Sequence, residues 1–153
     1  MSTPEERLAE LGLTLPEVVP PLAAYVPAVR TGNYVYVSGQ LPMVEGKLAL
    51  TGKVGAEVDP EQAKGAARIC ALNGIAAAAS VAGGLSGIVR IVKVVGFVAS
   101  APGFTGQPLV VNGASELFGE IFGEAGRHAR SAVGVSELPL NTPVEVELIA
   151  EVR

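Results

Sequence analysis

Apolar and polar positions fall into a readable order of elements along the chain. "TPEE", Thr3 to Glu6, has the form of a helix start, with Thr3 as N-cap, Pro4 at the first helical position and Glu6 closing a capping box. That helix is short and ends near Gly12. "LPEVVPPLAAYVPAV", Leu15 to Val29, carries four prolines and so predicts an irregular arm lying on the surface. "AVRTGNYVYVSG", Ala28 to Gly39, alternates as two strands joined around Gly32-Asn33, a hairpin, and Gly46 to Thr51 suggests a further short strand.

The longest helix opens at "DPEQ", with Asp59 as N-cap, Pro60 at the first position and Gln62 reaching back, and runs to about Val81. Its expected apolar stripe is Ile69, Leu72, Ala76 and Ala79, and its alanine content lets it approach a sheet closely. "GIVRIVKVVGFVAS", Gly87 to Ser100, is β-branched and predicts the central strand, with both faces covered. Asn112 is then expected to cap a second helix with Leu117, Phe118, Ile121 and Phe122 on one side, stopped by Gly123 and Gly126. Two strands close the chain, "HARSAVGVS" and "VEVELIAEV", separated by the turn "ELPLNTP".

This order predicts one α+β domain over residues 1–153, with two helices on one face of a single sheet and residues 1–24 as an appended helix and arm. Strands this apolar would leave a hydrophobic patch on the uncovered face, so self-association through the sheet is expected.

Alternation along the penultimate strand puts His128, Arg130, Ala132, Gly134 and Ser136 on one side and Ser131, Val133 and Val135 on the other. With the valines assigned to the core, Arg130 is expected on the uncovered face, where Ala132 and Gly134 leave space beside a planar five-donor fork suited to a small carboxylate. On the last strand Glu145, Glu147 and Glu151 share a face with Ile149. Carboxylates there are costly if buried unless they pair with Arg130, Arg90 or a ligand, and a purely structural ion-pair network is the competing reading.

Composition narrows the chemistry. Of 153 residues 49% are hydrophobic, which supports a packed core. Net charge is −4 and the 11 basic residues form no run, which argues against nucleic acid as the main partner. The single cysteine, Cys70, rules out an internal disulfide or CxxC site, and its setting in an apolar helix points to a buried small hydrophobe. A reducing compartment fits, and an acidic N-terminus without a basic, apolar leader makes cytoplasm the expected location. Two long uncharged windows, Ile69–Val89 and Val94–Ser115, are interrupted by glycine, proline and amide residues that do not suit a membrane span. The one histidine gives no structural zinc set, and neither a GxSxG elbow nor a phosphate-binding glycine motif is present.

"YVPAVRTGNYVYVSGQLP", "VVGFV", "VNGASELFGEIF" and "ARSAVGVSELP" followed by "VEVELIAEV" resemble the RidA (YjgF) superfamily, also labelled L-PSP endoribonuclease, over roughly Tyr25 to Val152. The resemblance implies a chorismate-mutase-like α+β fold assembled as a homotrimer, with ligand clefts between subunits. It also implies a deaminase that hydrolyses reactive enamines and imines to 2-oxo acids and ammonia without metal or organic cofactor. In the matching motifs Arg130 grips the substrate carboxylate and Glu145 positions the attacking water. Tyr25, Ser38 with Gly39, and Asn112 fall on the family's pocket positions; His128, which shares Arg130's side, is a candidate acid or base.

The chain departs from the family at several points. Ala132 replaces a common cysteine while keeping its backbone amide, Glu137 replaces an arginine, and "ASAPGFTGQPLVV" is longer than its usual counterpart. A divergent subgroup is the implied reading. Two other functions stay open: a trimeric protein that binds small carboxylates without turnover, and the endoribonuclease or translation inhibitor of the family label, against which the acidic balance argues.

Overall fold

The computed structural model describes residues 2–153. Helix α1, Pro4–Glu10, starts with the expected capping box, the Glu6 amide donating to Thr3 Oγ1 (3.1 Å) and the Thr3 amide to Glu6 Oε2 (3.2 Å). An irregular arm follows, as its prolines require, and leads into the hairpin of β1, Ala28–Thr31, and β2, Tyr34–Gln40. A two-stranded ribbon of β3, Met43–Val44, and β4, Lys47–Leu48, stands apart as a second, minor sheet. Helix α2, Pro60–Ser80, carries the predicted Asp59–Gln62 capping box. Strand β5, Ile88–Ala99, helix α3, Gln107–Phe122, strand β6, Ala129–Val135, and strand β7, Val144–Val152, complete the fold.

The main sheet has the order β1-β2-β7-β5-β6, antiparallel except for the parallel pair of β5 with edge strand β6. Both long helices pack on one face, as the order of elements predicts. The core lies between: Val35, Val37, Ile91, Val94, Val98, Val144 and Leu148 from the sheet meet Ala67, Ile75, Val110, Leu117 and Phe118 from the helices. Among the described residues no helix is long and apolar enough to cross a membrane.

Four sequence expectations change. Helix α3 begins five residues before Asn112, which therefore sits inside the helix and caps nothing. The reason is that Val110, Val111, Ala114, Leu117, Phe118 and Ile121 form one continuous buried stripe, and Pro108 is tolerated in a first turn. Much of the apparent long loop is thus the first turns of α3. Of the expected α2 stripe, Ala76 and Ala79 are buried, but Ile69 and Leu72 are only half-buried, and Ala63, Ala67, Cys70, Ala71 and Ile75 turn inward with the two alanines. Strand β5 is covered by helices on one face only.

The fourth correction moves the candidate site. Arg130 lies on the helix-covered face, and Val133, assigned to the core, is 42% exposed on the open one. Arg130 pairs in register with Val94, which pairs with Leu148, both core residues, so all three share a face. Small residues face the helices because α3 presses closely there. A Cβ on Gly96 would strike the Val111 side chain, and one on Gly134 would lie 2.7 Å from Gln107 Nε2. Ala132 sits opposite Gly96 on that crowded side and packs against the core.

Candidate active site

Arg130 projects from β6 toward α3. Its Nη1 donates to Asn112 Oδ1 (2.8 Å) and Ser115 Oγ (3.2 Å), and its Nη2 to the Pro108 carbonyl (3.3 Å). Asn112 and Ser115 are one helical turn apart and so present neighbouring acceptors to the same strand. All three acceptors are neutral, and among the described residues Arg130 makes no ion pair. The guanidinium is thus held in place with its charge uncompensated, beside an open cleft of about 320 Å³ lined by Ser115, His128 and Arg130. An anion is the ligand such a site favours.

His128 completes this cluster. Its Nδ1 lies 2.6 Å from the Gly126 carbonyl, which can only accept, so Nδ1 carries the proton. Nε2 is then the acceptor of the Ser115 hydroxyl at 2.8 Å. The chain of donors runs from Arg130 to Ser115 to His128 to the Gly126 carbonyl. Burial holds the His128 pKa below its ordinary value and the Arg130 charge adds to the effect, while the Gly126 bond opposes them. Phe118 packs edge-on against the imidazole at 5.6 Å between centroids and fixes the ring plane.

Glu145 lies elsewhere. It points to the open face from β7, opposite Phe97, where β2 bulges between Val37 and Gln40. Gly39 in that bulge lies so close that any Cβ there would fall on the Glu145 carboxylate. Burial raises the Glu145 pKa, and the neighbouring Glu147 charge raises it further. Ser38 beside it donates to the Val26 carbonyl (2.6 Å), fastening β2 to the arm next to Tyr25. The Tyr25 hydroxyl accepts from the Leu22 amide (3.3 Å), and Tyr25 and Gly39 border one small cavity of about 20 Å³.

The sequence-derived residues therefore separate into two groups. Arg130, Asn112, Ala132 and His128 gather on the α3 side of the β6 edge; Glu145, Gly39, Ser38 and Tyr25 gather around the β2 bulge. Among the described residues Glu145, Glu147 and Glu151 form no ion pair, and Arg90 donates to the Arg127 carbonyl (3.0 Å), so the structural ion-pair network does not form within the chain. Glu137 pairs with Lys53 at 2.8 Å on the surface. Ser115 was not among the sequence candidates. Its signal was the three-residue spacing from Asn112, legible only once both residues are known to be helical.

Residues 5–152 match the family model described as "YjgF/chorismate_mutase-like, putative endoribonuclease". The chain belongs to the YjgF/RidA family. Protein TCP17 of Trypanosoma cruzi is 42% identical over 147 residues, 95% of this chain and 92% of that protein. Among solved structures of this fold, Atu1372 of Agrobacterium tumefaciens, a protein of unknown function, has a TM-score of 0.89 at 52% identity over 98% of this chain and 92% of that one. TdcF of E. coli, solved with bound serine, has a TM-score of 0.60 at 27% identity over 90% of this chain and 94% of that one. The RidA-like α+β fold is thus shared across relatives of very different sequence.

Proposed function

We propose that this protein is a cofactor-free deaminase that hydrolyses enamine and imine intermediates carrying a carboxylate to 2-oxo acids and ammonia. The observation that carries the reading is the Arg130 guanidinium, fixed by three neutral acceptors and open to a cleft, a built receptor for a carboxylate. TdcF, a family neighbour, holds serine, which bears the same carboxylate beside a nitrogen-bearing carbon.

The reaction needs little beyond positioning and one proton acceptor. Once the enamine has tautomerised, water adds to the C=N carbon, and the carbinolamine expels ammonia to leave the 2-oxo acid. Arg130 anchors the carboxylate and so fixes the C=N carbon in place. Glu145, ionised, accepts a hydrogen bond from the water and takes up its proton; a raised pKa makes it a better base near neutrality. Glu145 then returns that proton to the nitrogen and takes up the carbinol O–H proton as the C–N bond breaks, ammonia leaves and the C=O forms.

Arg130 and Glu145 occupy opposite faces of one sheet, so the reading requires that they meet across copies, as in a homotrimer with clefts between subunits. Supporting this, the open face exposes Val29, Tyr34 and Tyr36 together on β1 and β2, with Tyr36 50% exposed, and Val133 at the far β6 edge. Sedimentation equilibrium tests the assembly: a species three times the 15.5 kDa chain supports it and a monomer overturns it.

The activity test generates 2-aminoacrylate with a serine dehydratase and follows pyruvate release with and without this protein. Acceleration lost in Arg130→Ala supports the deaminase. No acceleration, or acceleration that survives Arg130→Ala, overturns it for this substrate. Calorimetric binding of 2-oxobutyrate without turnover on any of a panel of imines would favour a carboxylate-binding protein instead.

A further inference from the structure

We infer that Ser115 is a further ligand-binding residue of the Arg130 cleft and that the protonation of His128 decides whether its hydroxyl is available, so that capture of a small carboxylate takes up a proton. The inference rests on the reading of Arg130 as the carboxylate anchor.

The argument starts from the hydroxyl, which has one proton to give. With His128 neutral and Nδ1–H donating to the Gly126 carbonyl, the lone pair of Nε2 holds the Ser115 proton at 2.8 Å. Ser115 then offers the cleft no donor; its oxygen also accepts from Arg130. When His128 takes a proton, Nε2 becomes a donor to Ser115 Oγ, and the hydroxyl proton must turn elsewhere. The cleft that Ser115 and Arg130 both line is the open direction. A carboxylate there gains a second donor beside the guanidinium, and it offsets the repulsion between Arg130 and a charged His128. Both effects make the protonated imidazole more favourable with ligand bound than without.

The groups around His128 fit this coupling. Arg130 of β6, Arg127 just before it and Arg90 of β5 are cations; Glu151 of β7 and Tyr34 of β2 border the adjoining cleft of about 530 Å³. Glu124 lies 3.7 Å from Arg127. The acids of α3, Glu116 and Glu120, turn away to Lys64 and Arg68 of α2. Arg130 shares the Ser115 hydroxyl with the imidazole, so a bound anion relieves the repulsion between these two groups once His128 is charged.

The test is calorimetric titration of the full chain with 2-oxobutyrate between about pH 5 and pH 8, in buffers of different ionisation enthalpy, which report proton uptake. Affinity is expected to fall about ten-fold as pH rises through the His128 transition, the worth of one hydrogen bond to a charged group. Ser115→Ala also removes an acceptor of Arg130 and should weaken binding at every pH, but it should lose the low-pH gain and so flatten the profile, as should His128→Gln. Because the chain has one histidine, its NMR signal reads the effect without any variant: 2-oxobutyrate should raise the His128 pKa. Arg130-dependent binding with no pH dependence, no shift of the histidine signal and no effect of Ser115→Ala overturns this inference and leaves the anchor standing. Binding that is absent at every pH, or indifferent to Arg130→Ala, overturns both.

Discussion

Gly39 and Glu145 are in such close approach that the space of a Cβ at position 39 is filled by the Glu145 carboxylate. The contact is made by the free end of a flexible side chain, so a methyl group there displaces the carboxylate without breaking the sheet. Gly39→Ala should therefore lower the rate of pyruvate release on the order of ten-fold while shifting thermal stability by less than about 1 kcal/mol. Parallel activity and unfolding curves check it. Equal losses in both would show that the glycine serves only the bulge.

The Glu145 carboxyl has its pKa raised by burial and then by Glu147. A base that must be ionised loses function as pH falls through its folded pKa, so the acid limb of the activity profile should lie above the ordinary carboxylate range. Glu147→Gln removes one of the two causes and should move the limb to lower pH. A profile unmoved by Glu147→Gln counts against Glu145 as the titrating base.

Stability should respond to Glu145 with the opposite sign from activity. The folded chain holds this proton more tightly than the unfolded chain, so the carboxyl's contribution to stability is full at low pH and is lost as pH rises through the folded pKa. At pH 7 Glu145→Gln should leave the unfolding midpoint unchanged or raised, while pyruvate release falls about 10²-fold. A clear loss of stability would mean that the carboxylate holds the fold.

Asn112 Oδ1 is the shortest of the three acceptors on Arg130. Asn112→Ala should free the guanidinium and raise KM about ten-fold or more, the effect of a hydrogen bond to a charged group, with a smaller change in kcat. Steady-state kinetics separates the two. A change in kcat alone would place Asn112 in the chemical step.

Gly113 beside it has a different duty. A Cβ there would collide with the backbone carbonyl of Lys64 in α2, and neither helix backbone can yield freely. Gly113→Ala should destabilise the chain by about 1–3 kcal/mol, the usual cost of overpacking, as read by thermal unfolding. An unchanged midpoint would show that the two helices can separate at little cost.

Local chemistry decided much of this protein from the sequence alone. The capping boxes at Thr3 and Asp59, the turn at Gly32-Asn33 and the strict alternation of Val144 to Val152 specify their elements through neighbours a few residues away, and each appears where the pattern puts it. The motif around Arg130 likewise singled out a residue whose guanidinium borders a cleft with Ser115 and His128. Which side of the sheet Arg130 faces was decided by tertiary packing. Small residues on one face of a strand signal either empty space or a neighbour pressed close, and only the position of Val111 and Gln107 against Gly96 and Gly134 selects the second. The same packing set Asn112 inside a helix, brought Ser115 to His128 from thirteen residues away, and parted Arg130 from Glu145 onto opposite faces. Alternation says which residues share a face; what covers that face depends on contacts distant in sequence.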